Sequence, residues 1–414
     1  MERKWSKRVK RRINRKRYGR KYGLFGKFDI FAKISRSSYY PLIKIGMLLA
    51  GLAAVAALAV FVIAPLWQMG FDPEGYAARN TPSPTPADQV ARDAPVEDKS
   101  NLVHEILFQL RYVNEPYFSG DDVVCTSGQD GAGNPQPTSL YVYNIKERRS
   151  PKDNQISAIK AENDDLLEAR MSANWIIWVD SKRNGGGSIC AYNRSSGAIH
   201  KIKDYKGAVP KLRLSGDMMA WAEQTATAQD KIYLHDLSTG SSATLAVLDN
   251  VPFGMGGADI CATEVIWAGP NPDAAPEEAQ KGSTGAIYSA NLSSGEVSVY
   301  QPGMYVHSPV TNGNVRAWTD TNSRAGSTLY ISVADGPPRK IESGVIGYDL
   351  GRDFIAYCKD GVIWLYYWEA GRYAQLSKEN LSSIFISVND NRVIWYDVTY
   401  EQRSRDIIKY AVVE

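Results

Sequence analysis

Six side chains along the sequence have the chemistry expected of a polar site, and each lies a few residues ahead of a short phrase that recurs along the chain. They are Arg170, Arg213, His307 and Asp349, with Tyr117 and Tyr348 as companions. If the repeats surround a common axis, these residues would line a central channel. An arginine cluster with an acid and a tyrosine would suit hydrolysis of a glycan.

The sequence lacks the motifs that mark other kinds of active site. It contains no G-x-S-x-G nucleophile elbow, no H-E-x-x-H zinc motif and no G-x-x-x-x-G-K-[ST] phosphate loop. The histidines are scattered, and the four cysteines fall in different repeats without a C-x-x-C pair. We therefore predict no catalytic residue, no metal site and no cofactor, and we keep Arg170, Arg213, His307 and Asp349 as channel-lining candidates.

The recurring phrase places a small residue and a short polar residue before two apolar residues and a large aromatic one. Its clearest copies are SANWIIW (Ser172–Trp178) and SGDMMAW (Ser215–Trp221), and looser copies begin at Ser119, Cys261, Asn312, Gly351 and Asn389. Each copy predicts a tight turn followed by a strand. A second phrase with a strand and a Gly-containing turn follows, as in KIYLHDLSTGSS.

The spacing of the copies indicates the fold. They start about 38 to 53 residues apart, close to the roughly 40 to 50 residues of a four-stranded propeller blade. We therefore predict an all-β, seven-bladed β-propeller, with six or eight blades as alternatives. The segment Leu102–Leu110 precedes the first copy, and we expect it to close the ring as the outer strand of the last blade.

Two features recur at one register of the second strand. The aromatic residue is predicted to fill the space between neighbouring sheets rather than to form a carbohydrate platform. Two residues later come carboxylates in four repeats, at Asp180, Glu223, Asp320 and Asp397. We expect each to accept hydrogen bonds from its own loop, the alternative being a ring that holds calcium or a basic partner.

The region ahead of the propeller divides into three segments. Residues 1–44 hold 16 Lys and Arg against 2 Asp and Glu, and are predicted to be a disordered cytoplasmic tail. Residues Ile45–Met69 carry no charge, which predicts one membrane-spanning helix rather than a cleaved signal peptide. Residues 70–101 read as a Pro-rich stalk. The propeller is assigned to residues 102–414.

The charge distribution predicts the topology. Basic residues stay in the cytoplasm, so we expect a single-pass protein of the cell membrane with an extracytoplasmic propeller. The basic tail is expected to contact anionic lipid, since each Lys or Arg near the surface contributes about 1 kcal/mol. We do not expect it to bind nucleic acid, because no folded base-reading module accompanies it.

The two phrases also carry a resemblance. The pattern S-x-D-x-Φ-Φ-W followed by I-Y-x-x-D-L-S-T-G resembles the TolB-type and WD-repeat-like β-propellers of bacterial envelope proteins. It covers Leu102–Glu414 and is clearest in the second to fourth repeats. The chain lacks the G-H and W-D dipeptides of true WD repeats, and its seven copies exceed the six blades usual in TolB-type rings. The resemblance implies the fold and a binding role.

These observations predict a membrane-anchored, extracytoplasmic propeller that acts as a protein-binding or scaffolding module of the cell envelope. The alternatives are a membrane-tethered glycan hydrolase and an envelope sensor that signals through its basic tail. The longest insertions lie between the second and third strands of a blade, where loops on a rigid scaffold concentrate binding residues. The predicted partner contacts there are Glu277, Glu278, Asp320, Tyr400 and Arg403.

Overall fold

The described residues form seven β-sheets in the computed structural model. The structure describes residues 96–106, 112–129, 135–147, 155–224, 229–249, 257–274, 284–303, 305–321, 327–377, 382–398 and 407–414. The predicted tail, the predicted membrane helix Ile45–Met69 and most of the predicted stalk lie outside these residues. Within the described ranges, no helix is both long enough and apolar enough to span a bilayer.

The strands are numbered along the chain. Ahead of the first complete blade lie β1 (Glu97–Asp98), a 3-10 turn (Ser100–Leu102) and β2 (Val103–Ile106). Blade 1 contains β3 (Asn114–Ser119), β4 (Asp122–Gln129), β5 (Pro135–Asn144) and β6 (Gln155–Lys160). Blade 2 contains β7 (Asp165–Met171), β8 (Trp175–Ser181), β9 (Gly187–Asn193) and β10 (Ile199–Tyr205). Blade 3 contains β11 (Leu212–Ser215), β12 (Met218–Gln224), β13 (Gln229–Asp236) and β14 (Ser241–Asp249).

The remaining blades follow the same order. Blade 4 contains β15 (Ala258–Ile260), β16 (Glu264–Pro270), β17 (Gly285–Asn291) and β18 (Val297–Gly303). Blade 5 contains β19 (Val306–Thr311), β20 (Val315–Thr321), β21 (Ser327–Val333) and β22 (Arg339–Ser343). Blade 6 contains β23 (Val345–Leu350), β24 (Phe354–Lys359), β25 (Val362–Tyr367) and β26 (Arg372–Gln375). Blade 7 contains β27 (Ser382–Asn389), β28 (Arg392–Val398) and β29 (Ile407–Val412).

The seven sheets surround one axis. The first strand of each blade packs against the first strand of the next, and β27 of blade 7 packs against β3 of blade 1. The ring of inner strands is therefore closed. This arrangement confirms the predicted seven-bladed, all-β propeller.

The ring is closed by a strand from the start of the propeller. Strand β2 pairs antiparallel with β29, with Val103 opposite Ala411 and Ile106 opposite Ile408. This pairing gives blade 7 its fourth strand and confirms the closing role predicted for the segment that begins at Leu102. Strand β1 adds a fifth, parallel strand to blade 6, so the chain joins the propeller upstream of the predicted boundary.

The recurring aromatic residues lie in the core between blades, as predicted. Trp221 is 1% exposed and packs with Ile177 and Val179 of blade 2, while Trp395 is fully buried against blade 6. Burying such a ring removes a large apolar area from water, so these residues carry much of the adhesion between sheets. They are not available as a carbohydrate platform.

The short polar residue of the phrase ties the turn to the third strand. In six blades its backbone carbonyl accepts the N–H of the residue that follows the third strand, as Asp217 does from Leu237 and Asn174 from Arg194. The third strand ends in an Asx turn, in which Asn193 Oδ1 accepts the N–H groups of the residues two and three positions on. Both phrases of the sequence are thus explained by backbone hydrogen bonding.

Candidate functional site

The inner strands present side chains to the axis at a repeated register. Counting back from the last residue of the recurring phrase, which is Cys125 in blade 1 and an aromatic in the others, the residues eight and ten positions earlier lie on the inner strand or just ahead of it. The position eight residues back is occupied by Tyr117, Arg170, Arg213, Asp259, Val310, Asp349 and Ser387. The position ten residues back is occupied in blades 1 to 6 by Glu115, Glu168, Lys211, Gly257, Ser308 and Gly347. Most of these residues line one cavity on the propeller axis.

Bulges in the inner strands set the direction of these side chains. Register shifts interrupt β3, β7 and β19 next to Glu115, Glu168 and Ser308, which have φ of 37°, 52° and 53°. Blade 4 has Gly257 at this position, with φ of 86°. A left-handed residue other than glycine costs on the order of 1 to 3 kcal/mol, and such strain clusters at functional sites.

The axial cavity has a volume of about 720 Å³, within the roughly 300 to 1,000 Å³ of small-molecule sites. One wall is charged and comes from blades 1 to 3. The facing wall comes from blades 5 to 7 and combines polar groups, among them His307 and Asp349, with an apolar part that includes Val310, Val345, Ile346 and Ile386. The cavity is therefore amphipathic.

The charged wall contains one ion-pair cluster around Arg170, whose side chain is 5% exposed. Its guanidinium donates to Glu168 Oε2 at 3.0 Å and lies 3.9 Å from Glu115 Oε2. It also stacks over the ring of Tyr117, with its Cζ 5.3 Å from the ring centroid. A single buried cation is thus shared between two carboxyl groups and an aromatic ring.

Sharing one cation leaves Glu115 incompletely stabilised as an anion. Burial, followed by repulsion from Glu168, raises the pKa of Glu115 to about 7, against the opposing effect of Arg170. Among the described residues, Glu115 Oε2 has no hydrogen-bond partner, and neither has Arg170 Nε. A buried carboxyl group that titrates near neutrality and keeps a free oxygen can bind a cation or exchange a proton.

A second pair joins blade 3 to blade 4. Arg213 Nε contacts Asp259 Oδ1 at 3.1 Å, and Asp259 Oδ2 accepts the backbone N–H of Thr311 at 2.8 Å. Burial raises the pKa of Asp259 to about 6, although Arg213 acts to lower it. Burial acts to lower the pKa of Arg213, but Asp259 and Asp349 outweigh this effect and raise it.

Asp349 faces the same axis from blade 6. Its Oδ2 accepts the backbone N–H of Val388 at 2.8 Å, and burial raises its pKa. Tyr348 donates to the carbonyl of Ser308, and burial also raises its pKa. These bonds join blade 6 to blades 5 and 7, so both side chains help to hold the inner ring together.

His307 lies on the neutral side of the cavity. Its Nδ1 is 3.0 Å from Thr319 Oγ1 and 3.2 Å from Ser308 Oγ. Burial lowers its pKa, which favours the neutral imidazole at physiological pH. His307 therefore offers hydrogen bonding without adding a charge.

The structure brings the four channel candidates, Arg170, Arg213, His307 and Asp349, to the wall of one cavity. The sequence reasoning missed four charged residues beside them, which are Glu115, Glu168, Lys211 and Asp259. A usable signal was present, because all four lie eight or ten residues ahead of the last residue of the recurring phrase. Their functional role stays a prediction.

The predicted partner contacts have a different outcome. Glu277, Glu278, Tyr400 and Arg403 lie outside the described residues. Asp320 accepts the backbone N–H of Tyr305 at 2.9 Å, so it serves as a loop anchor.

The other carboxylates at this register are also held by neighbouring groups. Asp180 accepts the N–H groups of Glu162 and Asn163, at 2.8 and 3.1 Å. Glu223 pairs with Lys203 of the preceding blade. The side chain of Asp397 lies outside the described part of the structure. No group of three or more His, Cys, Asp or Glu residues in the described ranges is arranged to hold a metal ion.

The cavity extends to one face of the propeller, which we call the loop face. Its lining includes Ser327, the first residue after the connection between β20 and β21, and Gly344, in the crossover from β22 to β23. The second-to-third-strand connections and the crossovers emerge on this same face. Ile346, at the start of an inner strand, is 67% exposed there.

Comparison with known proteins identifies the fold. No protein-family model matches the sequence, and no curated protein matches it. The β-propeller domain of the Trilobed protease from Pyrococcus furiosus is 11% identical with a TM-score of 0.55, covering 75% of this chain and 97% of that one. An acylaminoacyl peptidase from Pyrococcus horikoshii is 12% identical with a TM-score of 0.50, covering 74% of this chain and 51% of that one.

TolB from Acinetobacter baumannii is also among the similar structures, at 13% identity and a TM-score of 0.41, covering 73% of this chain and 64% of that one. The Pyrococcus furiosus domain is described as having an open velcro topology, whereas β2 and β29 pair in this chain. At these identities the similarity extends to the fold alone. By its sheet topology and by these similarities, the chain contains a seven-bladed β-propeller.

Proposed function

We propose that the protein is a membrane-anchored binding module of the cell envelope, whose extracytoplasmic propeller receives a protein partner on the loop face. The β-propeller fold, which TolB shares, is consistent with such a role. Residues Ile45–Met69 would span the membrane, and the basic tail would contact anionic lipid on the cytoplasmic side. Support for the anchor comes from its uncharged sequence and from the basic residues that precede it.

The observation that carries the choice of face is the axial cavity, which reaches the loop face. Concave sites with a few convergent polar groups are the usual place for binding. The opposite face consists of short turns whose polar groups are already bonded to each other, as Asp236 Oδ1 is to the N–H of Ser238. The choice of the loop face therefore depends on the cavity that opens there.

Site-specific cross-linking in cells tests the docking face. A photoreactive amino acid is placed on the loop face at Asp273 or Ile346, and on the turn face at Thr239 or Ser294, which are exposed. We expect a discrete cross-linked product from the loop-face positions alone. Products from the turn-face positions alone would overturn the assignment, since all four variants keep the core intact.

A second candidate function is the hydrolysis of a glycan, which one observation favours. Glu115 lines the axial cavity, and Asp259 pairs with Arg213, which lines it too. Their pKa values are raised to about 7 and about 6, where a carboxyl group can act as an acid or a base. Incubating the full-length chain with envelope glycans tests this candidate. Release of reducing ends that is abolished by Glu115→Gln and retained by Glu369→Gln would favour the enzyme over the binding module.

A further inference from the structure

The mouth of the axial cavity contains two opposite charges that are not paired with each other. Lys211 lines the cavity and is exposed, and no carboxylate of the described residues lies within salt-bridge distance of it. Glu115 lines the same cavity and has an oxygen without a hydrogen-bond partner among those residues. The two groups are close enough to interact electrostatically, since Lys211 acts to lower the pKa of Glu115.

Arg213 extends the positive side of this arrangement. It lies two residues after Lys211, which directly precedes β11, and its side chain remains 31% exposed while Nε contacts Asp259. On the negative side, Glu168 adds a second carboxylate next to Glu115. The charged wall thus has a cationic part on blade 3 and an anionic part on blades 1 and 2.

The facing wall has an apolar part beside polar groups such as His307 and Asp349. Val345, Ile346 and Ile386 contribute aliphatic side chains to the cavity lining, and Ile346 is 67% exposed. Such exposure of a large aliphatic side chain beside a cavity is typical of a contact surface for a ligand. A ligand that fits the whole cavity would therefore have one positive and one negative group at one end and an apolar group at the other.

We propose that the axial cavity binds a small zwitterionic ligand with an apolar side chain, of the free amino acid or short peptide class. Its carboxylate contacts Lys211 and Arg213, its ammonium group contacts Glu115, and its side chain packs against Ile346. An anion without the ammonium group would leave Glu115 with only its 3.9 Å contact to Arg170. A cation without the carboxylate would leave Lys211 unpaired and would be repelled by it.

The backbone supports a ligand-binding role for the carboxyl groups. Glu115 and Glu168 adopt left-handed conformations that blade 4 assigns to Gly257. Glycine would be less strained at both positions. Retention of two glutamates there places their carboxyl groups in the cavity at a conformational cost, which a binding role would explain.

Calorimetry with the full-length chain in detergent tests the proposal with four probes. The probes are L-leucine, the dipeptide Leu-Leu, N-acetyl-leucine, which lacks the cation, and leucinamide, which lacks the anion. We expect leucine or Leu-Leu to bind, and both blocked compounds to bind at least roughly tenfold more weakly, because each loses a charge-assisted hydrogen bond. Tighter binding of leucine identifies a free amino acid site, and tighter binding of Leu-Leu identifies a peptide site.

Variants connect the binding to the cavity. Lys211→Met and Glu115→Gln are each expected to weaken binding of the better probe at least tenfold, and Ile346→Asn to reduce the preference for leucine over glycine. The matched controls are Lys340→Met and Glu369→Gln, at exposed positions away from the cavity. Unchanged thermal unfolding of the Lys211 variant shows that it is folded, as expected for an exposed side chain.

The proposal is overturned if neither zwitterion binds at millimolar concentration, or if a zwitterion binds equally well to the Lys211→Met and control variants. It is also overturned if N-acetyl-leucine or leucinamide binds as tightly as the better zwitterion. These results are independent of the protein partner, because the cross-linking experiment reports docking on the loop face whether or not the cavity is occupied.

Discussion

Single residues of the inner strands combine strain with unsatisfied charge. Glu115 and Glu168 have positive φ, and both depend on Arg170 for neutralisation. Removing Arg170 would leave the buried Glu168 and the half-buried Glu115 without this cation, and breaking a buried ion pair typically costs about 3 to 5 kcal/mol. The residues that give the cavity its chemistry are therefore also a source of pH-dependent instability.

The pH dependence of unfolding tests the environment of Glu115. Its pKa is raised from 4.5 to about 7, so between these values the folded protein holds a proton that the unfolded chain has released. Stability therefore falls as the pH rises through this range and is constant above it. The unfolding free energy of the wild type minus that of Glu115→Gln should decrease by on the order of 3 kcal/mol between pH 4.5 and pH 8.

Denaturant unfolding at five pH values measures this difference. The control is Glu369→Gln, in the exposed turn between β25 and β26, for which we expect a constant difference. Glu168, Arg170 and Lys211 face Glu115 and are unchanged in both variants. A pH-independent difference for Glu115→Gln would show that burial does not raise the pKa of this carboxyl group.

At the scale of elements, neighbouring blades are joined by side chains as well as by apolar packing. The strongest example is Glu264 of blade 4, which is 4% exposed and accepts from Arg316 of blade 5 at 2.7 Å. It also accepts from Thr311 Oγ1 at 2.6 Å and from Ser289 Oγ at 2.7 Å. Both oxygens of this carboxylate accept hydrogen bonds, so the Glu264–Arg316 pair links the sheets of blades 4 and 5.

Breaking the Glu264–Arg316 pair should destabilise the propeller. Glu264→Gln keeps the shape of the side chain but leaves the Arg316 guanidinium, whose side chain is 14% exposed, without its buried counter-ion. We expect a loss of about 3 kcal/mol or more in urea unfolding of the full-length chain. Asp335→Asn removes the second acidic partner of Arg316. The side chain of Asp335 is 74% exposed, so this change should cost less than about 1 kcal/mol. Equal destabilisation by the two variants would show that the Glu264–Arg316 pair is not an important link between the blades.

The closing strand makes a second prediction for elements. Deletion of residues 102–110 removes β2, exposes the edge of β29 and uncovers the core around Ile408 and Phe118. We expect aggregation, measured by light scattering and size-exclusion chromatography in detergent, because an unpaired edge recruits other strands. The control is deletion of residues 96–98, which removes the short outer strand β1. Similar aggregation of both deletions would mean that closure by β2 is not needed.

At the scale of the whole molecule, the sequence is electrically divided. Residues 1–44 carry about +14, and the remainder carries about −11. The basic residues precede an uncharged stretch of 25 residues, which is the pattern of a helix that keeps its N-terminal side in the cytoplasm. The propeller would then be presented outside the cytoplasm, with its binding face free to meet other envelope proteins.

A topology reporter tests this arrangement. Alkaline phosphatase fused after Glu414 should be active, since this enzyme requires export for activity. Green fluorescent protein fused at the same position should be dark, because it does not become fluorescent when it is exported unfolded. Replacing most of the basic residues of the tail with Asn or Gln should reduce the phosphatase activity severalfold, because the charge bias that sets orientation is lost. Bright fluorescence with inactive phosphatase in the unmodified chain would place the propeller in the cytoplasm.

The sequence alone determined the repeat architecture. Turn-forming residues, a strand and an aromatic ring recur at intervals of a blade, and these are local signals that each repeat carries independently. The burial of Trp221 and Trp395 follows from that regularity, because rings at the same register of every blade lie between neighbouring sheets. The closing role of β2 follows as well, because the last repeat lacks a fourth strand of its own. Loop side chains such as Tyr400 have no comparable regularity, so the sequence assigns them to the longest insertions but does not determine their contacts.

Only the tertiary structure decided which charges pair between blades. The pairing of Arg213 with Asp259, and of Arg316 with Glu264, joins residues from different blades that lie 46 and 52 positions apart in the sequence. Bulges next to Glu115 and Glu168 turn these side chains into the cavity, and a bulge shifts the alternation by which strand positions are read. Cavity chemistry thus depends on the closed ring, since no single repeat holds both partners of either pair.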